Sequence, residues 1–183
     1  ILTELDGVHF CQALPEYAIK LADLFWSYTP REDKRHYRSS IEIEHHFGLE
    51  SNHQDYHPAS AYQTPIYWLL KSDLQKTIDF ILSFTNKSIK TYALSGFDKS
   101  VQSIDVHIDD STTQKQYISH CLWCLYRGTG SPVSPYLLQS MHMALEKILL
   151  EIGEHYDSRV LESWLLYLLT KSESASIFAI VAS

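Results

Sequence analysis

His45, His46, His53, Asp55 and His57 stand within thirteen residues of one another. Imidazole nitrogens and carboxylate oxygens are the usual ligands of zinc and related metals. His45, His53, Asp55 and His57 could therefore converge on one ion that activates a water for hydrolysis. Their spacing matches no metalloprotease or zinc-finger pattern. The same stretch reads as a polar loop whose histidines are solvated or pair with Glu42, Glu44 and Glu50. A second ligand pattern, Cys121-Leu-Trp-Cys124, has the spacing of redox pairs. Such pairs normally open a helix after a strand, where the helix dipole lowers the thiol pKa. Here the two cysteines fall inside an amphipathic stretch. They have His120 beside them but no second Cys pair, which suits small core residues equally well.

Arg31-Glu-Asp-Lys-Arg-His36 carries an Arg-x4-His spacing that resembles HEPN-type helical ribonucleases. In that family the Arg and His face a shared cleft, usually across a dimer. The resemblance implies Arg31 and His36 as a catalytic pair. Glu32 stands where the family usually has Asn, Asp or His, and the motif follows Pro30 in a stretch that reads as a basic, solvated loop. The chain has no phosphate-binding Gly-x4-Gly-Lys-Ser/Thr loop, no Gly-x-Gly-x-x-Gly, no His-Glu-x-x-His and no Gly-x-Ser-x-Gly elbow. No cofactor is expected in this segment.

Composition narrows the partners. A net charge of −7 argues against nucleic acid and anionic membranes, both of which attract a Lys/Arg excess. No run is apolar enough to span a bilayer, which needs about 18–20 such residues. Three cysteines in 183 residues make a disulfide framework a poor fit and point to a reducing, cytoplasmic setting. Gly and Pro number only six each, which favours long helices over a turn-rich sandwich.

The elements that must position these groups read as follows. Leu14, Tyr17, Ala18, Leu21, Leu24, Phe25 and Tyr28 predict a helix from about 14 to 28. Residues 29–62 are polar and His-rich, a long loop whose part 36–62 includes His45, His46, His53, Asp55, Tyr56 and His57 as an interaction surface. Thr64-Pro65 predicts a cap and a short buried helix. The capping box from Ser72 to Gln75 predicts a second helix through Phe84. Ile104, Val106 and Ile108 alternate as in a strand, and Tyr117, Ile118, Cys121, Leu122 and Leu125 predict a helix from about 113 to 127.

Ser134-Pro135 opens a helix carrying Leu138, Met141, Leu145, Ile148, Leu149 and Ile152, with a stop expected at Gly153. Asp157 or Ser158 caps the next helix and Ser174 the last. The expected fold is a single, predominantly α-helical domain over 1–183. It is an irregular, solenoid-like helical array with a minor strand insertion near 101–108. The final ten residues hold Ile177, Phe178, Ile180 and Val181 and no charge. They are expected to fold back or pair with another copy, as in a fragment of a larger, multidomain protein.

Two resemblances bear on role. Residues 64–82 resemble one ankyrin repeat in the Thr-Pro start and the closing Ile-x-x-Ile-Leu, with Leu69 and Leu70 where small residues are usual and Asp73 where the turn glycine is usual. His45-His-Phe-Gly-Leu-Glu50 through Pro65, with Leu122-Trp123, Tyr126-Arg-Gly128 and Met141-His-Met-Ala-Leu-Glu146, resemble the helical region of very large bacterial STAND-type ATP-binding proteins linked to antiphage defence. That resemblance implies a non-enzymatic sensing, scaffold or protein-interaction segment that meets a protein partner or neighbouring domains, with ATP bound elsewhere in the parent chain. The alternative is a small helical hydrolase, metal-dependent through His45–His57 or HEPN-like through Arg31 and His36.

Overall fold

The computed structural model describes residues 5–28, 43–50, 55–108, 112–126 and 135–183. In chain order these form α1 (Leu5–Ala13), α2 (Pro15–Trp26), α3 (Ile43–His46), α4 (Ile66–Ser72), α5 (Leu74–Ser95), β1 (Gln102–His107), β2 (Thr113–Ile118), α6 (His120–Cys124), α7 (Tyr136–His155), α8 (Ser158–Lys171) and α9 (Ala175–Val181). The fold is predominantly α-helical with a minor strand insertion, as the patterning predicts, and the described strands form one small antiparallel hairpin.

The centre is the short helix α4, packed against α1, α5 and α7. Ile66, Tyr67, Leu69 and Leu70 are all buried, so it is apolar on every side for a reason. Around it α7 buries Leu138, Met141, Leu145, Ile148, Leu149 and Ile152, the register read from sequence. Removing six such side chains from water contributes about 1.5–3 kcal/mol each, before the cost of chain ordering.

Several elements differ from expectation. The helix predicted over 14–28 is two helices. Leu14 breaks them at φ −137° and ψ 57° because a residue before proline is kept out of the α region. Within α2 the apolar stripe also faces the other way. Ala18, Ala22 and Trp26 are buried, while Tyr17, Leu24 and Phe25 are exposed. Small side chains let α2 approach α4 and α5 closely, and Trp26 then stacks on Phe80 at 6.3 Å between ring centroids.

Asp73, not Ser72, caps α5, accepting from the Lys76 backbone N–H at 3.1 Å. Thr64 does not cap α4, whose N-cap is Pro65. Helix α5 runs beyond Phe84 to Ser95, where Gly96 at φ 68° supplies the left-handed stop. Helix α7 continues through Gly153 to His155. A Cβ at Gly153 would lie 3.2 Å from a Leu161 methyl, so this glycine serves close approach of α8 rather than a stop.

The largest correction concerns 113–127. Thr113–Ile118 is a strand paired with β1 in the register Gln102↔Ile118 to His107↔Thr113, and only His120–Cys124 is helical. A lone strand leaves its backbone groups without partners, so the alternation at Ile104 and Val106 requires a second strand. Ser119 separates the elements as the N-cap of α6, accepting from Leu122 N–H at 3.2 Å.

The final helix α9 lies within the core. Ile177 and Ile180 are buried, and the helix packs against α6, α7, α8 and β2. Ile177 and Ile180 thus fold back, one of the two arrangements expected of this segment.

Candidate interaction groove

The hairpin, α6 and α9 enclose an open groove of about 560 Å³. One face of the hairpin supplies Gln102, Ile104, Val106, Gln116 and Ile118, which is the face that a period of two dictates. Helix α6 adds His120 and Trp123, and α9 adds Ala175 and Phe178. Among the described residues no Asp, Glu, Lys or Arg lines it. Ile104 is 39% exposed and Trp123 47% exposed, so apolar side chains stand open to water.

The floor is fixed by a polar corner between α8 and α9. Asn86 of α5 clasps it from both sides. Its amide donates to Lys171 O at 2.9 Å, and its oxygen accepts from Glu173 N–H at 2.9 Å. Ser172, Ser174 and Ser176 are fully buried and bond to one another. Ser174 N–H donates to Ser172 Oγ at 3.0 Å, and the Ser174 and Ser176 hydroxyls lie 2.7 Å apart. Strand β2 attaches to the same corner: Tyr117 N–H donates to Glu173 O at 2.9 Å, and Gln116 Nε2 donates to Ser172 O. That bond orients the Gln116 amide. Its Oε1 is left buried with no partner among the described residues, in a residue 1% exposed that lines the groove.

Backbone geometry adds a second set of open groups. Ile108 N–H donates to Thr112 O at 2.9 Å, making that pair a hydrogen-bonded one. Alternation along an antiparallel ladder makes Val106, Ile104 and Gln102 the others. Ser103, Asp105 and His107 therefore turn their N–H and C=O groups away from β2. The outward bond of Tyr117, the partner of Ser103, agrees with this parity. Among the described residues no backbone hydrogen bond reaches Ser103, Asp105 or His107 from outside the hairpin, and all three are exposed.

The residues singled out from sequence take other places. His45 stacks on Tyr28 at 4.4 Å, His46 lies against Phe97 at 4.4 Å, and His57 meets Tyr136 edge-on at 4.9 Å. Tyr56 accepts a hydrogen bond from Trp26 Nε1 at 2.8 Å. Each ring thus packs on a different aromatic partner. Asp55 is exposed. Among the described residues no three His, Cys, Asp or Glu side chains are grouped to hold a metal ion. His53, Arg31 and His36 lie outside the described residues. Cys121 and Cys124 are reduced cysteines in α6, with Cys124 Sγ 3.8 Å from His120 Nε2.

The chain matches no protein-family model and no curated protein. The reading of the groove therefore rests on its own geometry.

A contrasting polar centre joins α4 to α7. Glu151 receives Lys71 Nζ at 2.6 Å, Lys147 Nζ at 3.2 Å and Tyr67 OH at 2.9 Å. The Lys71 hydrogen bond, with those from Tyr67 and Lys147, holds the Glu151 carboxyl down to about 2. Lys147 also sits 5.8 Å from the Tyr67 ring centre and 5.9 Å from that of Tyr62. Deeper in, burial pushes the His142 imidazole down to about 4, so it is neutral at pH 7 beside Thr85 Oγ1 at 3.4 Å.

Sequence reading missed Asn86, Gln116, Ser172 and Ser176. One available signal was the isolated strand pattern at Ile104 and Val106, whose apolar face needs something to cover it.

Proposed function

We propose that this chain is a non-enzymatic protein-interaction segment whose working surface is the groove between the hairpin, α6 and α9. One observation carries the reading: a neutral groove of about 560 Å³ keeps Ile104 and Trp123 open to water. Contiguous apolar surface rimmed by polar groups marks partner sites on soluble proteins. A groove whose described lining holds no ionisable acid or base other than His120 offers little for acid–base or metal chemistry and much for side-chain burial. The resemblance of 45–65 and 122–146 to helical regions of STAND-type proteins supports a sensing or scaffold role within a larger ATP-binding bacterial protein.

The test is selection of a random twelve-residue peptide library on the wild-type chain and on an Ile104→Ser/Trp123→Ser double variant. The expected result is enrichment on the wild type alone. Equal enrichment on both, or none on either, would overturn the assignment of the groove.

A further inference from the structure

Resting on that reading, we infer that β1 is a docking edge that takes an extended, basic-apolar peptide as a third strand. Strand addition requires an unpaired edge, a side-chain pocket on one face and a fixed sheet behind it. All three are present. Ser103, Asp105 and His107 project backbone groups outward, unpaired among the described residues, over about 13 Å of strand, at roughly 3.3 Å per residue. The groove lies on the face of Ile104 and Val106, so alternate side chains of an added strand would extend that apolar surface. Gln116 and Tyr117 clamp the opposite edge of the hairpin to the Ser172–Ser174 corner, so the sheet is held from behind.

Charge selects the occupant. On the polar face Asp105 lies across from Lys115 on its β2 side, and the residue opposite it on an added strand would meet the same carboxylate from the other side, where a positive charge is favoured over a negative one. A Lys or Arg there, on a peptide of positive charge, complements both Asp105 and a chain of net charge −7. A second copy of this chain fits worse. The antiparallel register that pairs all three outward residues would set Asp105 against its own counterpart.

The probe is fluorescein-labelled Thr-Val-Lys-Val-Lys-Val-Thr-amide, read by anisotropy and by Trp123 emission. Two twins carry N-methyl groups, one on the lysine amides and one on the valine amides. Only one alternate set of amides faces β1, so one twin should lose about tenfold or more in affinity while the other binds as the parent does. Asp105→Lys should reverse the preference between the probe and a Glu-for-Lys version, again by about tenfold. Equal binding by both twins would overturn strand addition and leave the groove as a site for side chains alone. Binding by neither probe nor twins, with Trp123 emission unmoved, would overturn the proposal; if the peptide library also enriches nothing, the interaction reading falls with it. A stable dimer that dissociates on Asp105→Pro would overturn the choice of occupant, since that proline removes only an outward N–H.

Discussion

The α4–α7 interface and the hairpin groove are both built from aromatic and aliphatic side chains around a polar group, but they differ in how completely that group is paired. At the first, Glu151 meets two lysines and a tyrosine hydroxyl. At the second, among the described residues, Gln116 makes one bond through its amide nitrogen and none through its oxygen, and three outward backbone positions stand beside it. Burying a polar atom without a partner costs about 1–3 kcal/mol, so a fold tolerates it where something else is gained. A fully paired centre marks a joint of the scaffold, whereas an incomplete one with exposed apolar neighbours is the feature on which the proposed partner surface rests.

The sharpest way to separate the two regions is to cut each. Leu69→Ala in α4 removes a fully buried side chain and is expected to cost about 2–5 kcal/mol in urea unfolding. A cost below about 1 kcal/mol would mean that α4 is not the centre of the core. Gln116→Ala leaves the buried Ser172 carbonyl without its side-chain donor. The expected loss is about 1–3 kcal/mol, with a shift in Trp123 emission as the α8–α9 corner loosens.

Glu151→Gln tests the paired centre through pH. An unfolded Glu151 takes up a proton near 4.5 and the folded one only near 2. Its contribution is therefore complete above about pH 4.5 and lost as pH falls toward 2. The stability gap between wild type and variant should be about 1–2 kcal/mol at neutral pH, after allowance for screening, and close across that window. A gap that persists at pH 2 would show that packing, not charge, carries the effect. Ile104→Ser should change stability by no more than about 0.5 kcal/mol, because the side chain is already 39% exposed, while abolishing peptide binding. A large loss of stability would make the groove face part of the core.

What could be read from the residues follows the same division. Helix α7 shows its register plainly because one continuous apolar face is buried along its length, and Ser174 announces α9 as its N-cap. Strand β2 was illegible because Thr113–Ile118 is mostly polar and lacks the apolar alternation that Ile104 and Val106 give β1. The facing of α2 was illegible for another reason. Its larger residues Tyr17, Leu24 and Phe25 form the better stripe, but the neighbours select Ala18 and Ala22 by close approach. The groove depends on Asn86 and Gln116 reaching across long stretches of chain, which no local pattern encodes. The histidines at 45, 46 and 57 stood out by composition, and composition does not say which aromatic ring each will meet.

The open edge of β1 is tested most directly by residue-resolved amide hydrogen exchange, first on the free chain and then with the Lys-Val peptide present. In the free chain the amides of Ile104 and Val106, bonded to β2, should exchange slowly, and those of Ser103, Asp105 and His107 at nearly unprotected rates. Added peptide should slow the second set by about tenfold or more and leave the first set unchanged. Protection of Ser103, Asp105 and His107 in the free chain, or no change in them at saturating peptide, would contradict a docking edge at this strand.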